Sequence, residues 1–206
     1  MVDVLYTIGH SRHSIDRFVE LLDRHAITAI ADVRSTPYSA RHPQFNRENL
    51  EICLGDHGIG YVFLGNQLGA RPDDPTCYQD GTVQYERLAA TGLFHEGLTR
   101  VRNGAHKYRL ALLCAEADPL ECHRFVLICR RLKGPNIQIH HILMNGALES
   151  QDESEQRLLE QHGLTQRQLF LDSEGIVDRA YELQEKRIAY STRPARRLRP
   201  QPRPQN

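Results

Sequence analysis

The sequence predicts an α/β protein: one domain with a mostly parallel sheet of about five strands, helices on both faces and further helices at the C-terminal end. Three observations predict it. Short apolar runs of strand length alternate with segments of helical period along most of the chain. Polar clusters rich in His, Arg, Asp and Glu stand just after these runs. The length, 206 residues at 40 % hydrophobic content, suffices for one sizeable core.

The elements follow in order. "DVLYTI" (3–8) reads as a strand and "SIDRFVELLDRHA" (14–26) as a helix, with Ser14 as N-cap and Ile15, Phe18, Leu21 and Leu22 on one face. "ITAIADV" (27–33) is a second strand. "NRENLEICLGDHG" (46–58) is a helix closed by Gly58. "GYVFLG" (60–65) is a third strand, and 84–103 is helical with a break near Gly92. "YRLALLC" (108–114) is a fourth strand, a helix is expected from Pro119 to Lys133, and "NIQIHHIL" (136–143) is a fifth strand. Two more helical patterns lie around 152–162 and 173–189. The sequence thus divides into an α/β domain, 1–192, and a Pro/Arg-rich tail, 193–206.

Composition narrows the setting. Acidic and basic residues balance at 26 each, but the tail "RPARRLRPQPRPQN" holds five arginines and no acid, leaving the body near −5. Such a tail buries too little apolar surface to order itself; it is expected to be disordered and to serve either as an electrostatic arm for nucleic acid or as a solubilising segment. No signal-peptide core and no membrane-spanning apolar run is expected, so a cytoplasmic protein with no membrane partner is the reading. Five cysteines, an odd number without CxxC spacing, fit free thiols in a reducing compartment. Oligomeric state is not legible.

The stretch "AEADPLECHR" (115–124) concentrates the chemistry. Asp118 at N-cap, Pro119 at N1 and Glu121 at N3 make a helix start. That places Cys122, His123 and Arg124 near the positive end of a helix, where a thiolate or a bound anion is favoured. Cys122 is also the first member of an apolar stripe with Phe125, Val126, Cys129 and Leu132, so a plain core role stands beside the reactive one. Three other strand ends are similarly equipped: Gly9, His10 and Ser11 after the first, Asp32, Arg34 and Ser35 after the second, and Arg71 in the long loop after the third. In a parallel sheet all four open on one edge.

In this order, "TIGHS", "DVRSTPYS…PQFN", "LGARPDDP…YQDGTVQYERLAATGLFHEGL" and "LLCAEADPLECHR" resemble the uncharacterised family known as domain of unknown function 488, from Tyr6 to about His141 and more loosely through 179–190. The resemblance implies an α/β domain with signature residues Gly9, His10, Ser11, Asp32, Arg34, Glu116, Cys122, His123 and Arg124. It carries no established chemistry.

Walker A and GxGxxG are both absent, and no cofactor is expected. The candidates for catalysis are His10, Asp32, Glu116, Cys122 and His123; those for holding an anionic substrate are Gly9, Ser11, Arg34, Ser35 and Arg124. Together they suit an enzyme cleaving a glycosidic or phosphodiester bond in a nucleotide or nucleic acid, with arginines on the phosphate and carboxylate and imidazole moving protons. The alternatives are a sulfur- or acyl-transferase built on Cys122 and a non-catalytic nucleic-acid-binding module. A zinc site from Cys114, Cys122 and His123 is disfavoured, because adjacent Cys and His on one helix do not easily converge. No metal is expected.

Overall fold

The structure, a computed structural model, describes residues 2–164 and 173–192. The Pro-Arg tail lies outside the described residues. A six-stranded sheet forms the centre, in the order β3-β2-β6-β1-β7-β8. Its strands are β1 (Asp3–Gly9), β2 (Ala29–Asp32), β3 (Gly60–Phe63), β6 (Leu110–Cys114), β7 (Ile137–Ile142) and β8 (Leu148–Ser150). A small hairpin, β4 (Tyr78–Gln79) with β5 (Thr82–Val83), stands apart. The first five strands of the large sheet run parallel, and β8 pairs antiparallel with β7. The sixth strand is an addition to the five expected: three residues, "LES", are too few to show a period.

Period-2 alternation sorts the central strands onto two cores. Tyr6, Ile8, Ala111 and Leu113 face α1 (Ile15–Arg24) and α2 (Arg47–Asp56), packing on Phe18, Leu21, Leu22, Leu50 and Leu54. Each of these buried side chains is worth about 1.5–3 kcal/mol of transfer free energy. Leu5, Leu112 and Cys114 face the opposite way. There they meet α3 (Gly65–Leu68), α4 (Tyr85–Ala89), α5 (Gly92–Lys107), α7 (Gln151–Gln161) and α8 (Ser173–Ile188). Helices on both faces are thus present. Ser14 caps α1 by accepting from Arg17 N, and the break near Gly92 separates α4 from α5, with Thr91 capping α5.

The segment after β6 differs from the single helix expected between Pro119 and Lys133. Asp118 does cap it, accepting from Leu120 N, and Pro119 occupies the first turn. That turn is a 3₁₀ turn that ends at Glu121. Cys122 is extended (φ −132°, ψ 140°), and the chain re-enters as a π-helical turn, Arg124–Cys129, before the short α6 (Arg130–Leu132). Such π turns are rare and recur at functional sites. Among the described residues no helix is long and apolar enough to cross a membrane.

Candidate functional site

The carboxyl ends of β2, β6 and β1 are neighbours. Beyond them the chain stays zipped for two more residues: His10 N donates to Cys114 O and Ser11 N to Ala115 O, each at 2.9 Å. Gly9 permits this approach. A Cβ there would stand 1.7 Å from Glu116 O. Ser11 then takes a left-handed backbone (φ +46°), an uncommon state for a residue with a side chain.

A cavity of about 480 Å³ opens on this edge. Of the residues expected at a site, His10, Ser11, Arg34, Ser35, Glu116 and His123 line it. Gly9, Asp32, Cys122 and Arg124 do not. Asp32 is fully buried behind Arg34, accepts from Tyr61 Oη and grips the Arg34 guanidinium through both carboxylate oxygens, at 2.5–3.1 Å. Its task is to aim Arg34, whose Nη1 keeps no hydrogen-bond partner among the described residues.

Arg124 is not placed to clamp a ligand. It is 0 % exposed and spends its donors on Glu116 O (2.8 Å), Ala117 O (3.2 Å) and Thr7 Oγ1 (3.2 Å). The guanidinium fork therefore pins the loop that carries Glu116. Cys122, 1 % exposed, lies behind the wall, which argues against it as a nucleophile met by substrate.

His10 stacks on Phe45 (centroids 4.5 Å apart) and its Nδ1–H donates to Ser11 O. That bond leaves the lone pair on Nε2. Burial, then the Arg34 charge, lowers its pKa to about 4, so the ring is neutral at pH 7. Burial, followed by the neighbouring Cys122, pushes the Glu116 carboxyl above the usual range.

The cavity also draws on side chains the sequence reading did not assign to a site. Arg12, His42 and Arg71 line it, as do Tyr38, Tyr85 and Tyr190. Arg71 sits over the Tyr190 ring at 4.4 Å. Arg12, His42 and Arg71 belong to loops already flagged by their place after strands. Tyr190 follows α8 and closes the 179–190 stretch of looser family resemblance, in which the sequence marks no residue as part of a site.

At the floor of the cavity is the largest departure from expectation. Cys114, the last residue of β6, Cys122 and His123 bring two Sγ atoms and a ring nitrogen within 4.8 Å of one another. Because Cys122 is extended rather than helical, adjacent Cys and His converge after all. Burial alone would raise the Cys122 thiol; a hydrogen bond from Cys114, the Arg124 charge and His123 overcome it and hold it well below its ordinary value.

A model of the family described as domain of unknown function DUF488 matches residues 14–130, more than half of the chain. The chain belongs to the DUF488 family. No curated protein and no solved structure matches it. The matched stretch of this DUF488 chain contains Asp32, Arg34, Glu116, Cys122, His123 and Arg124. His10 and Ser11 precede it, and Tyr190 follows it, so the cavity reaches beyond the matched region on both sides.

Chemically, the DUF488 cavity offers three imidazoles, that of His10 neutral at pH 7, two carboxyl groups (Glu116 and Glu121) and three guanidinium groups, with tyrosine rings in its walls. Such a set can hold an anion, present a flat surface to a ring and move a proton.

Proposed function

We propose that this protein is an enzyme acting on a phosphate-bearing substrate, a nucleotide or nucleic acid, at whose glycosidic or phosphodiester bond it directs water. The observation that carries the reading is the gathering of Arg12, Arg34 and Arg71 with His10 and Glu116 around one cavity. Arg34, pre-aimed by Asp32, and the two more exposed arginines receive the phosphate. Tyr38 and Tyr190 offer faces on which a base stacks. His10 Nε2 accepts the proton of the attacking water, a role open to it because the ring is neutral at pH 7. Glu116 handles the proton at the leaving group.

The test is incubation of the protein with a panel of nucleotides, oligonucleotides and base-damaged DNA, with products read by mass. Once a product is found, His10→Gln should reduce turnover by roughly 10²–10⁴-fold with binding retained. Arg71→Ala should weaken binding instead. No product and no binding across the panel would overturn the proposal; binding without product would leave a non-catalytic module.

A further inference from the structure

Cys114, Cys122 and His123 form a donor set with no counterpart elsewhere among the described residues. From the geometry we infer that they are a zinc site at the floor of the cavity, with two thiolates and one imidazole as ligands. The inference stands independently of the reaction proposed above.

The distances carry it. Zinc binds thiolate at about 2.3 Å and imidazole at about 2.05 Å, so a tetrahedral centre needs sulfur and nitrogen roughly 3.6 Å apart. His123 Nδ1 lies 3.6 Å from Cys114 Sγ and 3.9 Å from Cys122 Sγ. All three atoms fall within 4.8 Å of each other; two sulfurs on a tetrahedral zinc stand roughly 3.8 Å apart, so closing the sulfur pair on a metal takes a shift of at most about 1 Å. The tautomer agrees. His123 Nε2–H donates to Val33 O at 3.1 Å, which leaves the lone pair on Nδ1, the nitrogen facing the sulfurs. A carbonyl that accepts from the far ring nitrogen and fixes the ring in this way is the usual support of a metal-bound histidine.

The surroundings suit thiolates. Arg124 N–H points at Cys122 Sγ (3.5 Å), and the Arg124 guanidinium lies fully buried close by. With two thiolates and neutral imidazole, a divalent ion leaves the centre neutral, which a buried site tolerates far better than a bare charge. Soft sulfur and imidazole donors select zinc over magnesium or calcium. Cys114 and His123 also line the cavity while Cys122 lies behind them, so the fourth ligand comes from the cavity side. Glu116 stands there, its Oε2 at 3.1 Å from Cys114 Sγ.

The test uses the full chain, freed of metal by a chelator under reducing conditions and then titrated with Zn²⁺ or Co²⁺. One zinc per chain is expected, and cobalt should develop thiolate-to-metal charge-transfer absorption with the intensity of a tetrahedral centre. Cys114→Ser, Cys122→Ser and His123→Ala should each weaken zinc binding by more than about tenfold, at least the loss that follows removal of a hydrogen-bond partner behind a metal ligand. Cys53→Ser, outside the cluster, should leave it unchanged. The cobalt spectrum of the unmutated chain keeps the test decisive even where a variant fails to fold. A reduced chain that takes up no stoichiometric zinc, or a cobalt complex without the charge-transfer band, would overturn the inference. So would a stable Cys114–Cys122 disulfide whose reduction restores no metal binding. None of these readings depends on any substrate being turned over.

Discussion

Replacing Gly9 by alanine adds one methyl group where a Cβ would run straight into the backbone of the facing strand end. The new Cβ would lie 1.7 Å from Glu116 O, 2.7 Å from Glu116 C and 3.3 Å from Ala117 Cα. All three are backbone atoms, so no side chain can swing aside. The β1 and β6 ends must part, and the bonds from His10 N to Cys114 O and from Ser11 N to Ala115 O are the first lost. Two such bonds amount to about 1–3 kcal/mol and the overpacking to about 1–3 kcal/mol more. A total of about 2–6 kcal/mol is a large share of the roughly 5–15 kcal/mol typical of a domain. At about 2–4 °C per kcal/mol, the midpoint should fall on the order of 10 °C. Gly55→Ala is the matched control, because a Cβ there meets nothing within 4 Å and the residue lies inside α2. It should gain about 0.5–1 kcal/mol. Urea and thermal unfolding, followed by circular dichroism, compare the two. Equal stability of Gly9→Ala and Gly55→Ala would refute the close-approach argument.

Three further outcomes are expected. Arg124→Lys keeps the charge but loses the planar fork that reaches Glu116 O and Ala117 O, and should cost about 1.5–3 kcal/mol in urea unfolding; a change under 0.5 kcal/mol would show that the fork is not what holds the loop. His141 is buried between Thr7 Oγ1 and Gln151 Oε1, and burial, aided by Arg124, lowers its pKa from 6.5 to about 3. The unfolded chain therefore binds the proton first, so stability is full above pH 6.5 and declines as pH falls toward 3. Between pH 6.5 and about 4.5 the loss from this group should be roughly 2–3 kcal/mol, and His141→Gln should flatten that part of the profile; an unchanged slope would refute it. Asp118→Ala removes both the cap on Leu120 N and the paired bonds from Arg157, each 2.8 Å, and should cost about 1–2 kcal/mol by chemical denaturation, whereas Asp118→Asn should recover part of it.

The strands were legible because buried parallel strands are nearly continuous apolar runs, and the runs ending at Ile8, Val33, Leu64 and Cys114 needed no tertiary information. The cap at Asp118 was legible for the same local reason. What followed it was not. The apolar stripe from Cys122 to Leu132 satisfies an α-helix, yet the backbone spends Cys122 on an extended step and then widens into a π turn. Three-dimensional packing decides this, since the step lets Cys122 and His123 both meet Cys114. The disfavoured zinc cluster rested on the assumption of a continuous helix, and the assumption failed. Arg124 and Arg34 illustrate a second limit. Composition marks an arginine as an anion clamp, but only the fold reveals that Arg124 is sealed under backbone carbonyls while Arg34 faces the cavity.

The strand order has a consequence for the birth of the protein. β1 pairs only with β6 and β7, whose first residues stand more than 100 positions further along the chain. As synthesis proceeds, β2 and β3 can find each other early, while β1 has no neighbour until Leu110 has left the ribosome. The strand β1, apolar over most of its length, must wait while roughly a hundred further residues are made. Parallel pairing across such separations is slow, because loop closure precedes any reward from contact. The cavity inherits the delay. His10 follows β1 and Tyr190 follows α8, so a nascent chain that has not reached Tyr190 holds pieces of the site but never the site itself.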